Sequence, residues 1–414
     1  MISFLKEFKM TDLTKGGELK ALFVFALPIF LGNLFEQLYN ITDTVIVGNL
    51  LGAEALAAVG SSTQILALTI SVSTGMSIGA SVIISQLYGA KRNQNMKEVV
   101  DTNIIFISLF SFFLMVLGLL YSPVLLEHLN VPASLLSDAD AYLQTILLDV
   151  IFIKFFTYGV VGAALATVLA QVFSFIVCLR YMYRYYPKLA PNLLHLKWKV
   201  SVLKTSLAIG LPAMLQQIFI SLGFLVIQFL VNGFGANAIA AYTAASKVDA
   251  FAEMPAINLG QALMNFTAQN KGAGEQKRIA KGGRSALIIT LGISIAISGL
   301  IYSFAPHFIA IFNRQKAIVQ IGEGYLRIVS IFYFVFGAMQ VLNGLLLGYG
   351  KSLLPLIASV TTFCLLQVPL AVCLSHTKLG FNGIWLAAPF GWFAGFLMRL
   401  IYFANISKHI ERKE

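Results

Sequence analysis

Residues 47–65 read "VGNLLGAEALAAVGSSTQI" and residues 231–248 read "VNGFGANAIAAYTAASKV". Each closes an apolar run, turns at a glycine and opens the next helix on small residues, so Gly52 matches Gly235 at an offset of 183 residues. The same offset carries Gly89 in "YGAKRNQ" onto Gly272 in "KGAGEQK", and Tyr142-Leu143 onto Tyr325-Leu326; Pro28 and Pro212 agree to within one residue. A self-similarity of fixed period along most of a chain is the mark of a tandem duplication.

The duplicated unit is a membrane unit. Of 414 residues, 58% are hydrophobic and 11% charged, and apolar runs of about 20 residues, enough to cross the hydrocarbon as helix, recur throughout. Strict alternation over ~10-residue segments, the pattern of a transmembrane barrel, is absent. The net charge of +11 sits in short loops between the runs, which argues for orientation in a bilayer and against a nucleic-acid surface. Basic residues cluster at both termini, in "KRNQNMK" (91–97), in "NKGAGEQKR" (270–278), and between Arg180 and Lys204, where six basic residues occur with no acid. These loops and both termini are expected in the cytoplasm; the loop Leu126 to Ala141, with Glu127, Asp138 and Asp140 and no Lys or Arg, is expected outside. The opening "MISFLKEFKMTDLTKGGELK" lacks a small-residue cleavage pattern and reads as a retained amphipathic lead-in. Cys178, Cys364 and Cys373 lie in or beside apolar runs without metal-type pairing, so neither a disulfide framework nor a zinc site is expected.

Because equivalent loops are basic in both halves, the two units share one orientation, which requires an even number of spans in each. The second half reads as six: about 207–231, 240–268, 285–305, 325–348, 353–374 and 381–404. The first half reads 22–47, 57–88, 102–125 and 159–180, the last aligning Gly162 with Gly383 at an offset of 221. The change of offset leaves 38 residues absent between Tyr142 and Gly162, about one span with its loop and part of another. In their place stand 17 residues, Tyr142 to Tyr158, which as helix would reach only ~25 Å. Charge parity favours a stub that does not cross. The expected architecture is all-α and polytopic: an N-terminal lobe over 1–200, a C-terminal six-span lobe over 201–414, nominally 6+6 spans and here 10 to 11.

With the spans placed, "LPIFLGNLFEQLYNITDTVIVGNLLGAEALAAVG" at the first span, with Pro28, Tyr39, Asn40, Asp43 and Gly48, resembles the MATE (multidrug and toxic compound extrusion) family. The likeness extends through "SQLYGAKR", "YGVVGAALATVLAQ", "GLPAMLQQ", "AYTAASKVD" and "LLLGYGKS". The resemblance implies a bilobed antiporter that exports organic cations or amphiphiles against H⁺ or Na⁺ by alternating access, with no cofactor beyond that ion. The sodium-using NorM-like branch also carries acids in its seventh and tenth spans. Here the seventh reads "QQIFISLG" and Gly337 stands where the tenth-span Asp would be. The chain therefore looks more like the DinF/MepA type, which relies on the first lobe. Carried over residue by residue, the ion-coupling set is Asp43 with Tyr39, Asp149 and Thr167, with Thr145 where that pattern has Asn; Na⁺ at Asp43 and Asp149 is the one metal this suggests.

The residues support part of this without the resemblance. Asp43 is a carboxylate deep in an apolar span, with Glu36 a heptad earlier, and a buried acid that can exchange a proton for a cation suits such a place. In the second lobe "SKVDAFAEMP" offers Lys247, Asp249 and Glu253; the acids share a helical face, and Lys247 is long enough to pair with either, so this set reads as a polar site or as a packing salt bridge. Pro255 is expected to interrupt that span, as Pro28 and Pro212 do theirs. Phe35, Met214, Phe219 and Phe224 could line a greasy cavity or face lipid. No ATPase signature is present, and the expected partners are a small-molecule substrate and the lipid bilayer of the plasma membrane, the chain acting as a monomer. Two alternatives stand beside the antiporter: an uncoupled remnant of one, and a lipid-linked oligosaccharide flippase, which would want several Arg or Lys within its spans.

Overall fold

A computed structural model of the chain describes residues 12–50, 52–128, 175–177, 179–187, 189–192 and 196–411, with the side chains of 39–50, 52–69, 115, 117–120, 122–128 and 406–411 left undescribed. No strand occurs among these residues. The first lobe contributes α1 (Glu18–Leu50), α2 (Gly52–Gly89) and α3 (Asn93–His128). The second contributes α4 (Val200–Asn232), α5 (Ala236–Ala273), α6 (Gln276–Phe312), α7 (Lys316–Ser330), α8 (Tyr333–Gly348), α9 (Leu353–Val360), a π-helical turn (Thr361–Gln367), α10 (Val368–Ser375) and α11 (Phe381–Glu411). Among the described residues six helical stretches are long and apolar enough to cross a membrane, and α7 with α8 would make a seventh. Large apolar side chains such as Phe229, Ile311, Leu365 and Ile401 stay exposed along their flanks, as lipid-facing positions require. Cys364 and Cys373 are free and exposed on the same kind of flank.

The duplication is visible in the turns. After α5, Gly274 takes a left-handed conformation (φ 79°) and Glu275 N–H donates back to Asn270 O at 2.8 Å. After α2 the equivalent residue, Lys91, is also left-handed (φ 57°), and Arg92 N–H donates to Leu87 O at 2.9 Å. Both are the same helix-ending motif, in which a residue at positive φ lets the chain reverse and satisfies a terminal carbonyl. Glycine adopts that conformation without strain and lysine does not. Gly274→Ala is therefore expected to destabilise the second lobe by roughly 1 kcal/mol, read as a lower melting temperature in detergent.

Five spans differ from their sequence reading. The run 325–348, expected as one span, is two helices bent by 52°. Neither proline nor glycine lies at the break. Ser298 Oγ of α6 donates to Ser330 O at 2.6 Å, and Phe332 departs from helical geometry (φ −104°, ψ 5°), so an inserted side chain has taken a carbonyl out of the ladder. Pro28, Pro212 and Pro255, expected to interrupt their spans, instead lie inside the continuous helices α1, α4 and α5. The last difference is the π-helical turn between α9 and α10, which ends just before Pro369. The stub Tyr142–Tyr158 and the point of shortening lie outside the described residues.

The lobes meet at the end that carries Lys91, Arg92, Lys271 and Arg278. A Cβ on Gly89 would come within 1.8 Å of Gln269 O, and one on Gly272 within 1.9 Å of Gln86 O. Gln86 and Gln269 are themselves equivalent under the repeat, so each lobe presents a glycine to the other's backbone across a pseudo-twofold axis. Gly75 meets Met214 of α4 just as closely (2.1 Å to Cα). Polar pairs finish the seam: Ser81 and Ser85 donate to Asn265 Oδ1 (2.8 and 2.9 Å), and Asn103 Nδ2 donates to Ser206 Oγ (3.0 Å).

The lead-in then crosses over. Leu13 is fully buried against the second lobe, its N–H donates to Gln269 Oε1 (2.9 Å), and Arg278 donates to Lys15 O and Gly16 O (2.8 and 2.7 Å). The connection into α4 does the reverse, with Lys199 paired to Glu98 and Lys199 N–H donating to Thr102 Oγ1 on the first lobe. Lys271 Nζ donates to Tyr349 O at 2.7 Å; burial, with Lys351 nearby, holds its ammonium below the ordinary lysine pKa.

Candidate functional site

The chemistry-bearing cluster that the structure describes lies inside the second lobe, around Asp249 on α5. The helix is long and rich in alanine, and its neighbours approach closely at its one mid-helix glycine: Gly260 lies against Gln340, and Gly344 against Gly260. Three turns earlier in the same helix Asp249 is only 8% exposed. Tyr325 from α7 donates its hydroxyl to Asp249 Oδ2, and Tyr333 from α8 donates to Oδ1. Both carboxylate oxygens are thus held by phenols, one from each side of the 52° break.

The phenols belong to an aromatic box. Tyr242 stacks on Trp385 (centroids 5.5 Å apart, planes 7°), and Tyr325 stands edge-on to both rings at 5.8 and 4.9 Å. Trp392 packs beside Tyr333 at 6.3 Å and Phe336 at 5.1 Å. Trp385 Nε1 is buried without a partner. Glu253, one helical turn beyond Asp249, is half-buried. A carboxylate removed from water, oriented by neutral hydroxyls and walled by π-faces, has the donors and electrostatics to hold a proton or a small cation.

Of the sequence-selected residues, Asp249 and Glu253 come together as expected, but Lys247 does not join them. It is half-buried, and no ion pair links it to either acid among the described residues. The packing salt bridge is replaced by two tyrosine donors, because Lys247 is two residues from Asp249 and points to another side of the helix. Tyr325 and Tyr333 carry no local signal: they reach Asp249 from 76 and 84 residues away. Tyr39 and Asp43 fall within α1, where side chains are not described, and Thr145, Asp149 and Thr167 lie outside the described residues. Glu36 is exposed, as are Phe35 and Phe224.

A second polar cluster surrounds Arg399, 3% exposed in α11. Its guanidinium donates to Gly395 O (3.1 Å), Pro355 O (3.4 Å) and Ser359 Oγ (2.8 Å), and Gln216 joins Asn343 and Ser359 at 3.2 Å. No carboxylate pairs with it among the described residues. Carbonyl oxygens occupy its donors, so it ties α11 to α9 rather than facing a cavity.

The MatE family model matches the chain twice, over residues 28–183 and 212–373, with Pro28 and Pro212 opening the two matches. The chain belongs to the MatE family. Members of this family are transporters, so the chain is a multi-pass membrane transporter and not an enzyme. It is 27% identical over 441 residues to the probable multidrug resistance protein YoeA of Bacillus subtilis, covering 95% of each chain. To the probable multidrug resistance protein YpnP of the same organism it is 28% identical, covering 91% of this chain and 92% of the relative. The multidrug export protein MepA of Staphylococcus aureus is 22% identical over 84% of this chain and 85% of its own. Among solved structures the fold resembles a MOP-superfamily transporter from Pyrococcus furiosus described as having a binding pocket of reversed polarity (TM-score 0.87, 22% identity, 96% of this chain and 98% of that one). It also resembles a MATE transporter in an outward-facing conformation (TM-score 0.85, 22% identity, 97% and 99%).

Proposed function

We propose that this MatE transporter is a secondary antiporter that exports organic cations or amphiphilic drugs in exchange for H⁺ or Na⁺ by alternating access of its two lobes. The single observation that carries the coupling is the buried Asp249 carboxylate in its aromatic box, a place where ion occupancy changes the net charge of a packed lobe. The multidrug names of YoeA, YpnP and MepA support the substrate class. On the positive-inside rule the sealed, basic end is cytoplasmic, and the resemblance assigns the first-lobe coupling site to Asp43 with Tyr39, and Asp149 with Thr145 and Thr167. An alignment to YoeA over 441 residues, longer than this 414-residue chain, is compatible with a shortened first lobe. Arg399, its guanidinium turned onto carbonyl groups, weighs against the flippase alternative, which needs cations facing the cavity.

The test is efflux of a fluorescent organic cation from cells without their own pumps, with imposed H⁺ and Na⁺ gradients. Gradient-driven efflux that Asp43→Asn removes supports the reading. Efflux indifferent to both gradients refutes coupling and leaves the uncoupled remnant.

A further inference from the structure

We propose that a monovalent cation taken at Asp249 unpins α7 from α8, so that the occupancy of this carboxylate sets the angle of the broken span. The inference rests on the antiport reading for its physiological ion and on geometry for everything else. The break at Ile331–Phe332 has no proline to fix it. The pin is chemical: one carboxylate takes a hydroxyl from Tyr325 before the break and another from Tyr333 after it. Each half is thereby tied to α5 and, through α5, to the other half.

An ionised carboxylate accepts both hydroxyls as charge-assisted bonds, roughly twice as strong as neutral ones. Protonation turns one carboxylate oxygen into a donor, and a bound Na⁺ claims the lone pairs that the phenols use. Either ion weakens the two bonds that span the break, whereas the Ser298 to Ser330 O bond does not involve the carboxylate. The charged and titratable groups around Asp249 are few. Glu253, Lys247 and Tyr242 lie on its own helix, Tyr325 on α7 and Tyr333 on α8; the facing part of α11 brings Trp385 and Trp392, which do not titrate. The paired Glu323 and Arg327 of α7 form their own i,i+4 ion pair at 2.9 Å, with Arg327 46% exposed. Among the described residues Glu253 is the one further acid placed to share the ion.

The site carries its own reporter. The chain has three tryptophans: Trp385 and Trp392 touch the two pinning tyrosines, and Trp198 is exposed outside the lobe. In a Trp198→Phe background, purified into lipid nanodiscs, tryptophan emission is followed in two titrations, pH at low Na⁺ and NaCl at fixed alkaline pH. The expected result is a single transition in at least one titration, lost in Asp249→Asn; the responding titration names the ion. Tyr325→Phe/Tyr333→Phe, which removes the pins and keeps the carboxylate, is expected to start at the emission of the ion-loaded state and to lose the transition. An Asp249→Asn chain that keeps the parent's transition overturns the proposal, as does a double phenylalanine variant that behaves like the parent. A parent with no transition in either titration overturns it too. A transition that depends on Asp249 in a chain without gradient-driven efflux leaves the site standing and removes the antiport reading; gradient-driven efflux with no such transition does the opposite.

Discussion

Gly272→Val is expected to reduce efflux by about 10- to 100-fold, and Gly89→Val to do the same. The argument starts from the backbone. A Cβ on Gly272 would lie 1.9 Å from Gln86 O, and one on Gly89 would lie 1.8 Å from Gln269 O. Neither opposing atom is the end of a flexible side chain, so the clash is relieved only by moving one lobe away from the other. Overpacking of this kind costs roughly 1–3 kcal/mol, and each 1.4 kcal/mol shifts a conformational population tenfold. Under the alternating access proposed above, this end seals in every cycle, and throughput falls in proportion to the sealed population.

The check is maleimide labelling of Ser85→Cys, which sits under the seal at 7% exposure, with Cys178, Cys364 and Cys373 changed to Ser. Faster labelling from the side that carries Lys91 and Lys271 in the Gly272→Val chain, together with reduced efflux, is the expected pair of results. Unchanged labelling and unchanged efflux would show that the close approach of the two repeats is not needed in the cycle. Combining both valines should add less than the sum of the two, since either one already parts the same seam between the lobes.

Much of this seam was legible as pattern before it was legible as structure. The offset that pairs Gly89 with Gly272 is in the sequence, and so is the duplication it implies, but the reason for two glycines appears only when each is seen against the other lobe's backbone. The membrane class and the helical content followed from apolar run length, which is a local property. Long-range features did not follow. The break between α7 and α8 is made by Ser298 of α6, so no residue at the break announces it. The prolines in α1, α4 and α5 read as interruptions, yet packed neighbours keep each helix continuous. Asp249 was picked out by being an acid in an apolar helix, whereas its partners were sought on the same helix and came from two others. The first-lobe residues Thr145, Asp149 and Thr167 rest on family resemblance alone.

Asp249→Asn is expected to lower gradient-driven efflux by about 5- to 150-fold, the range of a typical coupling free energy between two sites, while leaving downhill exchange of substrate in place. Asparagine keeps the size and one acceptor oxygen, so the tyrosines retain a partner, but it can no longer gain or lose charge. Gradient-driven efflux at the parent's level in this variant would remove Asp249 from coupling. The comparison with Asp43→Asn then bears on how many ions move. Under the repeat, Asp43 corresponds to Val226 and Asp249 to Leu66, so the two acids are not copies of one ancestral position. Each lobe has placed its carboxylate on a different helix, α1 in one and α5 in the other. Two sites that titrate independently should give a double variant whose loss is the product of the single losses; one ion passed between them should give a double variant no worse than the poorer single one.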